Sequence, residues 1–172
     1  MLHTSVAGCQ DSLIRAVKVA SADLDGDDSG GFRDVGDTPV PVMHDGILVV
    51  RDAYSGPWMT EIIRRLHGHH EPQEELAFSR VLVVIATSED APTMIELGGW
   101  WAYYSLWFLR ENPSGSVVAL EPHLPYLEAG KRNFALNGAS GLFVHGAIGD
   151  APGTDLEFSA TSDGRTGCRL RG

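Results

Sequence analysis

The sequence predicts an α/β fold, a partial parallel sheet preceded by a helical N-terminal segment. Two observations predict it. Over residues 93–145, apolar strand-like runs alternate with helix-like stretches in the order strand, helix, strand, helix, strand. That order is the pattern of a parallel sheet with right-handed crossovers. Over residues 57–88, apolar positions recur at helical spacing instead.

Taken in order, residues 1–45 read as a flexible leader rich in Gly and Asp. Leu13, Ile14, Val17 and Val19 are spaced for a short helix at most. Residues 21–37 hold six aspartates against Arg33, so much of the net charge sits there. Asp23, Asp25 and Asp27 alternate as in a calcium loop, but Asp28 and Asp34 stand where such a loop needs Gly and Glu. A solvated acidic turn is the expectation. Residues 46–92 read as a helical preamble. Ile47–Val50 suggests a short strand. Pro57 opens a helix with Met59, Ile62, Ile63 and Leu66 on one face, and Gly68 stops it. A second helix starts at Pro72, with Glu74 and Glu75 favouring its positive end, and breaks at Ser88–Pro92.

Residues 93–172 carry the informative pattern. Thr93–Leu97 reads as a buried strand ending in Gly98-Gly99, Trp101–Leu109 as a helix, and Ser116–Leu120 as a second strand ending at Glu121. Leu124–Leu136 reads as a helix stopped by Asn137-Gly138, and Leu142–His145 as a third strand. The last stretch is Gly- and Ser-rich, with weak strand character around Leu156–Phe158.

The 172 residues bound the chain to about one domain. A net charge of −10 excludes nucleic acid as the main partner, because no basic surplus exists to neutralise phosphates. Two cysteines, Cys9 and Cys168, are too few for a disulfide framework and read as free thiols. No basic-then-apolar N-terminal pattern and no run of about 18 apolar residues occurs. Neither a signal peptide nor a membrane span is therefore expected, and the cytoplasm is the default location.

Ligands of an open α/β sheet bind beyond the carboxyl ends of its strands. Three such ends are visible. At Glu96-Leu97-Gly98-Gly99 the glycines let backbone approach a ligand, and Glu96 can accept from an ammonium group. Glu121, 22 residues past Gly99, can accept both hydroxyls of a ribose. Gly146-Ala147 leaves room for a flat base. The tight pyrophosphate turn G-x-G-x-x-G is missing, which disfavours a dinucleotide oxidoreductase.

The segment PTMIELGGWWAYYSLWFLRENPSGSVVALEPHLPYLEAGKRNFALNG, with GLFVHGAIGD after it, resembles FkbM-like S-adenosylmethionine (SAM)-dependent methyltransferases of the class I Rossmann-like fold. GPWMTEIIRRLHGHHEPQEELAF also looks like the segment before the first SAM motif in some of these proteins. The resemblance covers roughly residues 45–165 and implies a partial Rossmann-like sheet. It implies that Glu96, Gly98 and Gly99 form the first SAM loop, helped by Tyr103 and Ser105. It implies that Glu121 binds the ribose, with Pro122 and His123 beside the adenine and Gly146 and Ala147 flanking it. Ala102 departs from the pattern, which would put a glycine there.

The resemblance further implies O-methylation of a sugar or secondary-metabolite hydroxyl, a small-molecule acceptor. No general base is legible, and no catalytic residue is assigned. The pattern ends after its third strand, so the alternative is a truncated, non-catalytic SAM-binding remnant or interaction module. That alternative exposes a sheet edge prone to self-association.

Other features read more plainly. Trp100, Trp101, Tyr103, Tyr104, Trp107 and Phe108 fall at helical spacing and read as core rather than acceptor surface. His67, His69 and His70 read as a solvated helix–helix turn, since their spacing matches no metal site, and no metal is expected. His123 and His145 at strand ends read equally as cofactor donors or half-buried side chains. Arg64, Arg65 and Arg80 read as solvated helix faces.

Overall fold

The computed structural model describes residues 30–51, 53, 56–88 and 90–149, and the backbone of 156–160 and 166–170. The expected leader helix, Cys9 and the Asp23–Asp27 stretch lie outside the described residues, as does the Cys168 side chain. In chain order the elements are β1 (Phe32–Val35), β2 (Thr38–Pro41), α1 (Pro57–Arg65) and α2 (Pro72–Ser88). They continue as β3 (Thr93–Leu97), α3 (Tyr103–Glu111), β4 (Ser116–Glu121), α4 (Leu124–Leu136), β5 (Leu142–His145), β6 (Leu156–Ala160) and β7 (Thr166–Leu170). The fold is α/β. β3, β4 and β5 form a parallel sheet in that order, and α3 and α4 are its crossovers.

The helices form where the sequence supplies their ends. Pro57 occupies the first turn of α1, where the missing N–H costs nothing. Arg64 and Arg65 sit at its negative end and share Glu61, an exposed face as expected. Met59, Ile62 and Ile63 form the buried face. In α4, Leu127, Ala129, Gly130, Asn133 and Phe134 are buried, and Gly138 follows at positive φ as the helix ends.

One face of the sheet makes the core. Met94, Val117, Ala119 and Phe143 pack with Met59, Ile62, Leu106, Trp107, Phe108 and Phe134. Large side chains buried this way contribute about 1.5–3 kcal/mol each. Trp101, Tyr103, Trp107 and Phe108 are buried, so the aromatic run is core, as its spacing suggests. The opposite sheet face is apolar but uncovered among the described residues, with Ile95 65% and Leu97 61% exposed and Leu142 beside them across the sheet.

Three expectations need correction. The leader does not run to residue 45: β1 and β2 form an antiparallel hairpin closed by Gly36-Asp37, with Gly36 at φ 60. Val40, Val42 and Met43 are buried. Ile47–Val50 is not a strand: it makes a single bridge, Leu48 to Val42, and asparagine side chains at the end of α4 take other backbone groups. The Asn137 amide accepts from Leu48 N–H (2.9 Å) and donates to Leu48 C=O (2.7 Å). Asn133 Oδ1 accepts from Val50 N–H (2.7 Å). The first crossover helix begins at Tyr103 rather than Trp101, because Trp100 and Ala102 adopt left-handed backbone (φ 46 and 59). The strand character expected around Leu156–Phe158 is present as β6, which pairs with β7, a strand not expected from the sequence.

Candidate functional site

Parallel register brings the strand ends to one rim. Leu97 aligns with Leu120, and Glu121 aligns with His145, so the residues that follow β3, β4 and β5 emerge together. After β3 the chain turns sharply. Gly98 and Gly99 N–H both donate to Leu120 C=O (2.8 and 2.9 Å), and Gly98 takes φ 76 with open space where a Cβ would point. That conformation favours glycine. Trp100 and Ala102 adopt left-handed backbone without being glycine, at about 1–2 kcal/mol each. Such strain concentrates in loops that bind ligands. Ala102, at the position where the resemblance implies a glycine, takes φ 59.

Glu121 locks this loop. It is 6% exposed, and its Oε2 accepts from Trp100 N–H (2.9 Å) while Oε1 accepts from His123 N–H (2.7 Å). Each carboxylate oxygen retains a further lone pair for a ligand hydroxyl. Glu96 faces the same loop and accepts from the Ser105 hydroxyl at the start of α3. Burial pushes the Glu96 carboxyl up to about 7, the Ser105 hydrogen bond holds it down in part, and the Glu121 charge adds to the rise.

Gly98, Gly99, Glu96, Tyr103 and Tyr104 line a cavity of about 240 Å³, together with Trp100, Trp101, His70, Glu71 and Glu74. The Tyr104 hydroxyl is buried there without a hydrogen-bond partner among the described residues. Beyond Glu121, His123 Nδ1 is likewise buried without one, and its ring lies 4.4 Å from that of Tyr126. Gly146 N–H donates to Glu121 C=O (3.3 Å), which brings Gly146 and the exposed Ala147 to the rim. Pro122 C=O engages His145 Nε2 (2.9 Å), so His145 is spent on the backbone. The rim thus gathers all ten expected residues except the Tyr103 hydroxyl. Tyr103 lines the cavity but turns its hydroxyl to His44 Nε2 (2.9 Å) and Asp45 Oδ2 (3.4 Å).

Two larger concavities, about 410 Å³ each, lie near Gly115, Ser140 and Gly141 at the opposite end of the strands. Each holds one basic side chain, Lys131 or Arg110, and no acid. The strand-end cavity is smaller but gathers the ionisable groups, and open sheets of this kind bind at that end.

No family model of known proteins and no curated protein matches this chain. Among the described residues, no helix is long and apolar enough to cross a membrane.

The reading of the histidine turn is overturned. His67 is exposed, but His69 and His70 are 1% and 3% exposed and converge on Glu75, itself 0% exposed. His69 Nδ1 lies 2.5 Å from Glu75 Oε2, and His70 Nδ1 lies 2.8 Å from Oε1. His44 stacks on His69, with ring centroids 4.1 Å apart. Burial would raise the Glu75 carboxyl, but hydrogen bonds from His69 and His70 hold it well below the usual carboxylate range. Burial first, and the neighbouring His69 second, lower His44 to about 4. Burial also works against the charge on His70, yet Glu71 and Glu75 outweigh it and raise the group to about 8. No spacing signal marks His44, which stands 25 residues before His69 in a turn rather than beside it.

Proposed function

We propose that the chain binds SAM at the strand-end rim and acts as a SAM-dependent methyltransferase on a small hydroxyl compound. The observation that carries this reading is the buried Glu121 carboxylate at the end of β4, bonded to the β3 loop through Trp100 N–H. It stands where a ribose is held in sheets of this kind. The residues present fit the cofactor. Glu96 supplies an acid for a cationic amino-acid end, Gly98 leaves open space, and the Tyr104 hydroxyl and His123 Nδ1 await partners. At about 240 Å³ the cavity is below the ~300–1,000 Å³ of whole-ligand sites, so it suits the methionine end alone. The adenosine end would lie over Glu121, His123 and Gly146 on the open rim.

The cofactor supplies an electrophilic methyl group. The chain's contribution is to hold that group in line with the acceptor oxygen, which is where most of the rate gain in such displacements arises. The loop is held for this by Glu121, and Ser105 orients Glu96. The uncovered sheet face at Ile95 and Leu97 favours the second reading, a SAM-binding module without turnover.

Calorimetric titration of SAM into the folded chain tests both readings. Saturable heat that Glu121→Ala weakens is expected. No heat with a chain shown folded by circular dichroism would refute the cofactor, and equal binding by Glu121→Ala would refute the ribose role. SAM consumption in the presence of a hydroxyl-compound panel separates enzyme from module.

A further inference from the structure

We propose that His44, His69 and Glu75 form a binding site for a zinc-class divalent cation, separate from the strand-end rim. The three donor atoms lie within 4.8 Å of one another. They come from three segments: His44 from the turn after β2, His69 from the link between α1 and α2, and Glu75 from the first turn of α2.

The carboxylate is arranged to present one oxygen. Glu75 Oε1 is occupied by the His70 ring, the His70 backbone N–H (3.0 Å) and the Glu71 backbone N–H (3.3 Å). Oε2 is left facing His69 Nδ1 and, at 3.6 Å, His44 Nε2. Held ligands of this kind, with their second oxygen hydrogen-bonded, characterise metal centres. His70 is thus a support, not a ligand, and its ring packs edge-on against Trp101 and Tyr103.

The fold takes unusual steps to deliver His44. Gly68 takes φ 90, and a Cβ there would stand 2.3 Å from the His44 backbone nitrogen. Only the bare glycine lets the two segments touch, and Gly68 C=O then accepts from His44 N–H (3.1 Å). Asp45 Oδ1 accepts from Ile47 N–H (3.1 Å) and fixes the turn. Trp107 closes the far side, edge-on to His44 at 4.8 Å.

Donor chemistry selects the ion. Calcium and magnesium want oxygen cages, whereas two imidazoles and one carboxylate suit zinc and its neighbours. Tetrahedral zinc with bonds of about 2.0–2.2 Å spaces its donors about 3.3 Å apart. The His44–Glu75 distance of 3.6 Å is near that value; for the ion to enter, the His69 ring would turn out of its stack on His44 and widen its 2.5 Å contact with Glu75. Tyr103 Oη lies 2.9 Å from His44 Nε2, beside the site. The ion would join the turn after β2 to α2 behind the aromatic wall of the cavity.

The test uses the full chain, free of any affinity tag, stripped with chelator and loaded with cobalt(II) or zinc. About one equivalent is expected, with the intense visible bands of tetrahedral cobalt. Glu75→Gln should weaken binding at least about 100-fold, and His67→Ala should not. Since Glu75→Gln could unfold the chain, His69→Cys serves as the second variant. It keeps a donor and should add a thiolate-to-cobalt charge-transfer band absent from the wild type. A folded wild type holding below about 0.1 equivalent would overturn the proposal. So would a His69→Cys chain that binds cobalt without the new band.

Discussion

Asn133 ties the chain's least regular segment to its candidate site. This side chain on α4 is 1% exposed and makes two hydrogen bonds far apart in sequence. Its Oδ1 accepts from Val50 N–H (2.7 Å), and its Nδ2 donates to Trp101 C=O (2.9 Å). Asn133→Ala leaves both backbone groups without this partner. An unsatisfied buried group costs about 1–3 kcal/mol. Trp101 is buried and bears the larger cost, while half-buried Val50 can recruit water. The sum is about 3 kcal/mol, a large share of the ~5–15 kcal/mol that stabilises a typical domain. Urea unfolding followed by circular dichroism measures it, with a lower midpoint and an unchanged slope expected. In native-state hydrogen exchange the Leu48 and Val50 amides should lose protection first. A loss below about 0.5 kcal/mol, the scale of ordinary surface changes, would refute the reasoning.

Two further outcomes follow from the structure. Burial raises Glu96 to about 7 in the fold, so between about pH 4.5 and 7 the folded chain holds a proton that the unfolded chain releases. Its share of stability therefore falls as pH rises, by roughly 3 kcal/mol across that window; Glu96→Gln should flatten this part of the pH profile, and parallel profiles would refute it. Ile95 and Leu142 expose an apolar sheet face, so the wild type should self-associate in sedimentation velocity at rising concentration and Ile95→Lys with Leu142→Lys should reduce it; equal association by both chains would exclude this face.

Elements written in local periodicity were legible. β3, β4, β5, α1, α2 and α4 stand close to where alternation, helical spacing, Pro and Gly put them. Glu96, Glu121 and Gly146 were legible as rim residues because a parallel sheet aligns its strand ends whatever its neighbours do. The segment Ile47–Val50 misled because β-branched residues mark burial, not the partner. Besides the nearby Pro41 and Met43 backbone, its partners are two asparagines more than 80 residues away. The histidine turn misled for a related reason, since polar residues between helices usually face water, and here Glu75 and His44 compensate their burial.

The sequence by itself determined the alternation of elements, the acids at the strand ends and the glycine turn after β3, because these depend on residues close along the chain. Only the tertiary structure decided that His44 stacks on His69, that Glu75 faces both, and that Trp100 and Ala102 take left-handed backbone. Those outcomes depend on close approaches such as Gly68 against His44, which no spacing along the chain encodes. Periodicity records which side of an element is buried; the packed fold alone fixes what that side meets.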